Sequence, residues 1–142
     1  MDPKRFGAGA VVGGITMYLV GYLVFDLAFA DFYAANRSHV MARGTPILWA
    51  IWLGTLSLAA LITFAVGRDT GAPTIGAGAR TGAIVNFLAW CGVDFLRYGG
   101  ADYMTLTVTV VDPLLEIVRG AITGAAIAVV LSKVGAHAEI AT

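Results

Sequence analysis

A stripe of charged side chains inside the last long apolar run, residues 105–123, constrains this chain more than any other feature. The run reads TLTVTVVDPLLEIVRGAIT and carries Asp112, Glu116 and Arg119 without a polar loop around them. Steps of three and four residues place these side chains on one helical face, together with Thr105, Thr109 and Thr123. A charged side chain near the centre of a bilayer costs about 2.5–3.5 kcal/mol. The stripe must therefore face protein or water, and we expect the other helices to be arranged around it.

The bulk composition indicates an integral membrane protein. Of the 142 residues, 58% are hydrophobic and 13% are charged, whereas soluble domains carry about 25% charged residues. Several apolar runs are near the length of about 20 residues that crosses a bilayer as a helix. The formal net charge is zero, so nothing favours nucleic acid as a partner, and membrane lipid is the expected surrounding. We interpret residues 1–142 as a single integral membrane domain.

Four helices are predicted, at about residues 7–29, 46–66, 81–98 and 104–133. The first follows a basic leader and ends in an A-x-A pattern, as a signal peptide does, but its length and Asp26 favour a retained helix. Pro46 suits the first turn of the second helix. The glycine-rich segment 67–80 is predicted to be a flexible connection between two helical hairpins. The expected fold class is an all-α membrane protein, a four-transmembrane-helix bundle made of two helical hairpins.

The lysines and arginines of short loops predict the orientation of the bundle. One side carries Lys4, Arg5, Arg68, Arg80 and Lys133, and the other carries Arg37, Arg43 and Arg97. This excess predicts that both termini lie in the cytoplasm. In that topology Asp26, Asp94 and Asp112 reach a similar depth near the outer face, and Glu116 and Arg119 lie deeper. Acids from three helices at one level predict a shared polar pocket that opens outward.

These four acids and Arg119 are the candidate residues for binding a substrate or an ion. Glu116 lies three residues before Arg119, and Asp94 lies three residues before Arg97, so each acid can pair with an arginine within its helix. Asp26 and Asp112 then lack an evident cationic partner. Desolvation and a neighbouring carboxylate both favour the protonated acid. We therefore expect at least one of the acids to hold a proton or a cation, with Arg97, Thr109 and Asn86 as supporting residues.

A purely structural interpretation of the same residues stays open. Acids and arginines can pair simply to hold helices in register, and Asp26 lies close enough to the interface to reach water. Asn86 is expected to form an interhelical hydrogen bond, Cys91 to lie in the core and His39 on the surface. The sequence contains no G-x-S-x-G, Walker loop, CxxC or closely spaced histidine pair. We therefore predict neither a metal site nor a cofactor, and the common enzyme classes are disfavoured.

Three aspartates stand in a distinctive setting. Asp26 precedes Phe32-Tyr33, Asp94 comes late in the third predicted helix, and Asp112 follows Val111 early in the fourth. This arrangement resembles a family of small four-helix bacterial inner-membrane proteins known as a domain of unknown function. That family has a tryptophan-glycine shortly after its last aspartate, whereas this chain reads PLLEIVRG and keeps the glycine alone. The resemblance implies a multi-pass protein of the bacterial inner membrane and implies no activity.

The expected function is to bind or pass a proton, a cation or a small polar solute at the intramembrane acidic cluster. The alternative is a non-catalytic packing or assembly subunit of a larger membrane complex, and an enzyme acting on a lipid is a third possibility. Because four helices form a thin wall, transport would require a homo-oligomer or a larger assembly. Two stripes of small residues, around Gly14 and Gly120, are expected to be exposed and to supply that interface.

Overall fold

A computed structural model describes residues 1–36, 45–68, 72–102 and 104–140 of the chain, with side chains as far as Val134. The described helices are α1 Pro3–Gly21, a π-helical segment Tyr22–Ala28, α2 Ala30–Asn36, α3 Leu48–Val66, α4 Ile75–Gly100 and α5 Leu106–Ile140. Three stretches are long and apolar enough to cross a membrane, at Pro3–Ala28, Leu48–Val66 and Leu106–Val134. The prediction of an all-α protein with membrane-spanning helices is therefore confirmed at this level.

Helix α4 departs from the prediction in two ways. It contains 26 residues but is not among the three stretches apolar enough to span, because glycines and ionisable side chains interrupt it. It also begins at Ile75 rather than near residue 81, since the Thr74 hydroxyl accepts a hydrogen bond from the Ala77 backbone N–H at 3.1 Å and caps the helix. The prediction that residues 67–80 form a connection throughout is thus wrong for residues 75–80.

The other helix ends also have local chemical causes. The Asp2 side chain accepts a hydrogen bond from the Arg5 backbone N–H at 3.1 Å, so α1 begins at Pro3, four residues before the predicted start. The Thr105 hydroxyl accepts from the Val108 backbone N–H at 3.3 Å at the start of α5. Residues 30–36, predicted as part of a loop, form α2. The predicted surface position of His39 lies outside the described residues.

The four long helices form a ring in the order α1, α3, α4, α5, and α4 and α5 make the most extensive contact. Neighbouring helices in the ring run antiparallel. In α1 and α5, for example, Gly9 lies against Leu131 and Gly13 lies against Ile127. A compact apolar core joins α1, α3 and α5 at the end of the bundle where α1 begins. Its fully buried members are Met17, Ile62, Ile127, Ala128 and Leu131.

The stripes of small residues are used inside the bundle. A Cβ built on Gly82 of α4 would lie 2.1 Å from the Gly120 carbonyl oxygen of α5, and one built on Gly124 would lie 2.1 Å from the Gly78 carbonyl oxygen. The glycines of the α1 stripe are likewise buried against α3 and α5. The expectation that these stripes are exposed and supply an interface between copies is therefore wrong. The outward surface consists of large apolar side chains, among them Leu19, Trp49, Leu88 and Leu96.

Candidate functional site

The polar stripe of α5 is buried inside the protein, as its spacing predicts. Asp112, Glu116 and Arg119 are all buried between α5 and its neighbours, and so are Thr109 and Thr123. The Thr109 hydroxyl donates to the Thr105 carbonyl oxygen at 2.9 Å, within its own helix. The charged side chains therefore meet other helices, and they form two distinct groups along the stripe.

The first group is centred on Arg119, near the middle of the apolar stretch Leu106–Val134. Its Nη1 pairs with Glu116 Oε1 at 2.6 Å, and its Nε donates to the Met17 carbonyl oxygen of α1 at 3.0 Å. The guanidinium also lies 5.6 Å from the centroid of the Phe25 ring and packs directly on Gly21. The predicted Glu116–Arg119 pair is confirmed, and it ties α5 to α1.

Asn86 connects the same group to α4. Its Nδ2 donates to the Glu116 carbonyl oxygen at 3.0 Å and to Glu116 Oε2. The predicted interhelical hydrogen bond of Asn86 is therefore confirmed. Both carboxylate oxygens of Glu116 have partners, so this buried ion pair satisfies the main condition under which such a pair is tolerated.

The second group is a pair of aspartates at the α4–α5 interface. Asp94 and Asp112 interact across the two helices. Asp94 has 0% of its surface exposed, and neither of its carboxyl oxygens has a hydrogen-bond partner within the described part of the chain. Two ionised carboxylates offer acceptors to each other and no donor. One proton placed between them would turn one group into a donor and give both a hydrogen bond.

Tyr33 of α2 completes the second group, although it lies between the first two predicted helices and is not among the candidate residues of the sequence. Its hydroxyl donates a hydrogen bond to Asp112 Oδ1, and its ring packs edge-on against Phe25 and Phe32. Tyr33 lies outside the membrane-spanning stretches. Burial raises the pKa of its phenol far above the usual range, and the Asp112 carboxylate raises it further. The Phe32-Tyr33 pair after Asp26 was the signal in the sequence that could have identified it.

Polar atoms without partners continue along the α4 face that carries Asp94. Asn86, Trp90 and Asp94 follow one another at intervals of four residues, which places them on one side of the helix. Asn86 Oδ1 and Trp90 Nε1 are buried and have no hydrogen-bond partner among the described residues. Leaving such a group unsatisfied costs about 1–3 kcal/mol, so this face is the part of the bundle where a function is most expected.

Asp26 and Arg97 form no described hydrogen bond or ion pair with either group. The Asp26 side chain is exposed at the π-helical segment, and no described residue joins it to Asp94 or Asp112. The structure thus brings two of the three predicted aspartates together and leaves the third aside. Arg97 is also exposed and makes no ion pair with Asp94 in the described structure. The predicted Asp94–Arg97 ion pair is therefore not formed among the described residues, although the charge of Arg97 acts on the buried Asp94 from the exposed side of α4.

Two clefts lie on either side of α3, and Arg119 lines both of them. One has a volume of about 370 Å³, lies between α1 and α3, and includes Tyr22, Asp26 and Arg119 in its lining. The other has a volume of about 440 Å³ and lies between α3 and α4. It is lined by Ile51, Gly54, Thr55, Leu58, Ala89, Trp90, Val93, Arg97 and Arg119.

Among the described residues, no three histidine, cysteine, aspartate or glutamate side chains are close enough together to hold a metal ion. No family model, no curated protein and no solved structure matches this chain. The resemblance to a four-helix inner-membrane family therefore rests on the short motifs around Asp26, Asp94 and Asp112, and it stays a prediction.

Proposed function

We propose that this membrane protein binds a proton between Asp94 and Asp112 and passes it along the polar face of α4 and α5. The observation that supports the proposal is the buried Asp94 carboxyl group, which interacts with Asp112 and whose two oxygens have no hydrogen-bond partner among the described residues. Two carboxyl groups side by side in a medium of low dielectric repel each other when both are charged. A shared proton removes that repulsion and supplies the missing donor.

A proton suits this site better than a larger cation or a polar solute. A metal cation needs several oxygen ligands at once, and no three acidic, histidine or cysteine side chains converge among the described residues. Neither Asp94 nor Asp112 lines either of the two clefts beside α3. A proton needs no cavity, because it moves between hydrogen-bonded groups. Tyr33, bonded to Asp112, would connect the pair to the end of the bundle where α2 lies.

The same proposal includes a topology. We infer that α4 crosses the membrane as a fourth span, since its contact with α5 covers its Asp94 face and its glycines. The proposed location is the bacterial inner membrane with both termini in the cytoplasm, on the excess of lysine and arginine at that end. Ala72→Cys in a Cys91→Ala background should react with a membrane-impermeant thiol reagent from the cytoplasmic side alone. Labelling from outside intact cells would contradict this orientation.

Flux measured in proteoliposomes tests the proposed activity. Wild-type protein is measured first for protons, sodium and potassium, and we expect proton flux. Asp112→Asn and Asp94→Asn should fold normally and abolish that flux, because an amide cannot exchange the proton. Asp26→Asn and Asp31→Asn, at exposed acids outside the pair, serve as the matched controls and should leave the flux unchanged. Equal flux in Asp94→Asn and wild type would contradict the proposal.

A packing or assembly subunit is the second proposed function, and one observation favours it. The group around Arg119 joins α1, α4 and α5 through an ion pair and hydrogen bonds within the protein. This is the arrangement expected of polar contacts that set helix register. Wild-type protein that conducts none of the three ions and co-purifies with a fixed membrane partner would make this function the better one. Homo-oligomerisation is part of the transport proposal and would then not be required.

A further inference from the structure

The cleft between α3 and α4 has a cationic lining and apolar walls. Its volume of about 440 Å³ lies within the range of about 300–1,000 Å³ typical of small-molecule sites. Arg97 and Arg119 both line it, and none of its described lining residues is acidic. The other cleft, by contrast, contains Asp26 beside Arg119. The cleft between α3 and α4 is therefore suited to an anionic group carried on an apolar body.

Arg119 supplies one of the two positive charges in the lining of this cleft. Its Nε donates to the Met17 carbonyl oxygen and its Nη1 to Glu116, and no described residue accepts a hydrogen bond from its Nη2. Arg119 is 7% exposed and lines both clefts, with its Nη2 against Gly21 of the cleft between α1 and α3. The positive charge of Arg119 therefore borders both clefts, and in the cleft between α3 and α4 no acidic lining residue offsets it.

Arg97 supplies the second positive charge. It lies in the last turn of α4, is exposed, and has no ion pair with any described residue. Between Arg97 and Arg119 the walls are apolar, with Leu58, Ala89 and Val93 among them. A guanidinium matches the two oxygens of a carboxylate in one plane. A carboxylate also carries less charge into an apolar site than a phosphate monoester, whose charge is about −1.5 to −2.

We propose that the cleft between α3 and α4 binds the carboxylate of a single-chain fatty acid taken from the surrounding membrane. The carboxylate pairs with Arg97, Arg119 adds to the positive lining of the cleft, and the chain lies along the apolar walls. A volume at the lower end of the range for ligand sites favours one chain over the two of a phospholipid. The proposal uses neither Asp94 nor Asp112, so it does not rest on the proton function.

Trp90 lines the cleft and provides the reporter for a test. Trp49→Phe with Trp52→Phe leaves Trp90 as the sole tryptophan of the chain, which has three. This parent protein, in lipid nanodiscs at alkaline pH, is titrated with a dibrominated fatty acid, whose bromines quench a tryptophan that they contact. The dibrominated methyl ester and a dibrominated alkyl phosphate are the matched probes. We expect saturable quenching by the acid, and quenching by the ester that does not saturate.

Two arginine variants of the parent protein then test which positive charge binds the carboxylate of the fatty acid. Arg97→Gln should raise the half-saturating acid concentration about tenfold, the size expected for losing one charge-assisted hydrogen bond. Arg80→Gln removes the same charge from an exposed position of the same helix, outside the cleft, and should leave the titration unchanged. Thermal unfolding of both variants in detergent should match that of the parent. Equal quenching by acid and ester, an unchanged titration in Arg97→Gln, or saturation by the phosphate alone would overturn the proposal.

Discussion

The two ends of the α4–α5 interface are held together by opposite means. At one end backbone meets backbone, through Gly78, Gly82, Gly120 and Gly124. At the other end polar side chains fill the gap, namely Asn86, Asp94, Asp112 and Glu116. The first end has no space for an added methyl group, and the second contains acceptors without donors. Close backbone packing and buried polar atoms without hydrogen-bond partners thus lie at opposite ends of a single pair of helices.

The end packed through glycines (the glycine end) determines how the end with the buried acids (the acid end) is aligned. One turn along each helix leads from the Gly82–Gly120 contact to the Asn86–Glu116 hydrogen bond, so both contacts belong to one register. Contacts between glycine backbones allow two helices to approach closely and fix their rotation. The buried acids can then be placed opposite one another without a loop to carry them. Changing either end should therefore affect stability by different mechanisms and by different amounts.

The largest expected loss comes from the charged group next to the glycine end. Arg119→Ala leaves Glu116 as a buried acid without its partner, and breaking a buried pair costs about 3–5 kcal/mol. Glu116→Gln combined with Arg119→Met should recover part of that loss, because neither residue is then charged. The free energy of unfolding in detergent measures both effects. Wild-type stability in both the single and the double variant would mean that the pair has no structural role.

The glycine end should respond nearly as strongly to a single methyl group. Gly82→Ala places a Cβ against the Gly120 carbonyl oxygen, which is backbone and cannot rotate away. We expect a loss of about 3 kcal/mol from this overpacking, with the polar contacts of Asn86 lost as the helices separate. Gly92→Ala is the matched control on the same helix, because a Cβ there meets nothing within 4 Å. Equal unfolding free energies for the two variants would refute the backbone contact.

A smaller effect is expected where α2 meets the acid end. Tyr33→Phe removes the donor to Asp112, and a hydrogen bond to a charged group contributes about 1.5–3 kcal/mol. The raised pKa of Tyr33 gives its contribution a pH dependence. The phenol ionises more readily in the unfolded chain, at about pH 10, so its contribution is complete below that pH and is lost progressively above it.

The free energy of unfolding, measured below and above about pH 10, tests this direction of the pH dependence. Wild type should lose more stability with rising pH than Tyr33→Phe does. Tyr98→Phe, at an exposed tyrosine, should keep the pH dependence of wild type. A wild-type profile parallel to that of Tyr33→Phe would mean that the buried phenol ionises like a solvated one.

The smallest change in stability is expected at Asp94, and it has the opposite sign. Asp94→Asn keeps the shape of the side chain and supplies an N–H donor toward Asp112, so stability should rise by about 1 kcal/mol. The gain is limited because a shared proton already supplies a donor in the wild-type protein. Asp31→Asn, on an exposed acid, should change nothing. A loss of stability in Asp94→Asn would show that the charge of Asp94 is needed for folding.

Much of the polar stripe could be predicted because helical periodicity is a local property. Spacing alone placed Glu116 beside Arg119 and the whole stripe on one buried face. The start of α4 could not be predicted in this way. Glycines at positions 78 and 82 suggest a flexible turn when they are considered locally, and they are recognisable as packing residues only beside their partners in α5.

Contacts between helices were the least predictable part of the site. The partner of Asp112 is Tyr33, and Asp94 interacts more strongly with Asp112 than with Arg97. These contacts depend on how each helix is rotated and on how the chain folds back after the π-helical segment, and neither property is encoded in residue spacing. Equal depth in the membrane predicts Asp26 beside the other aspartates, and this prediction fails for the same reason, since depth does not specify which way a side chain points.

Infrared spectroscopy of the purified protein tests most directly whether a proton lies between Asp94 and Asp112. A protonated carboxyl group has a C=O stretching band that a carboxylate lacks, so the band reports the proton itself. At neutral pH wild type should show one such band, which disappears in Asp94→Asn and in Asp112→Asn and remains in Asp26→Asn. A wild-type spectrum without the band, or a band that survives both interface substitutions, would contradict the shared proton and the function proposed from it.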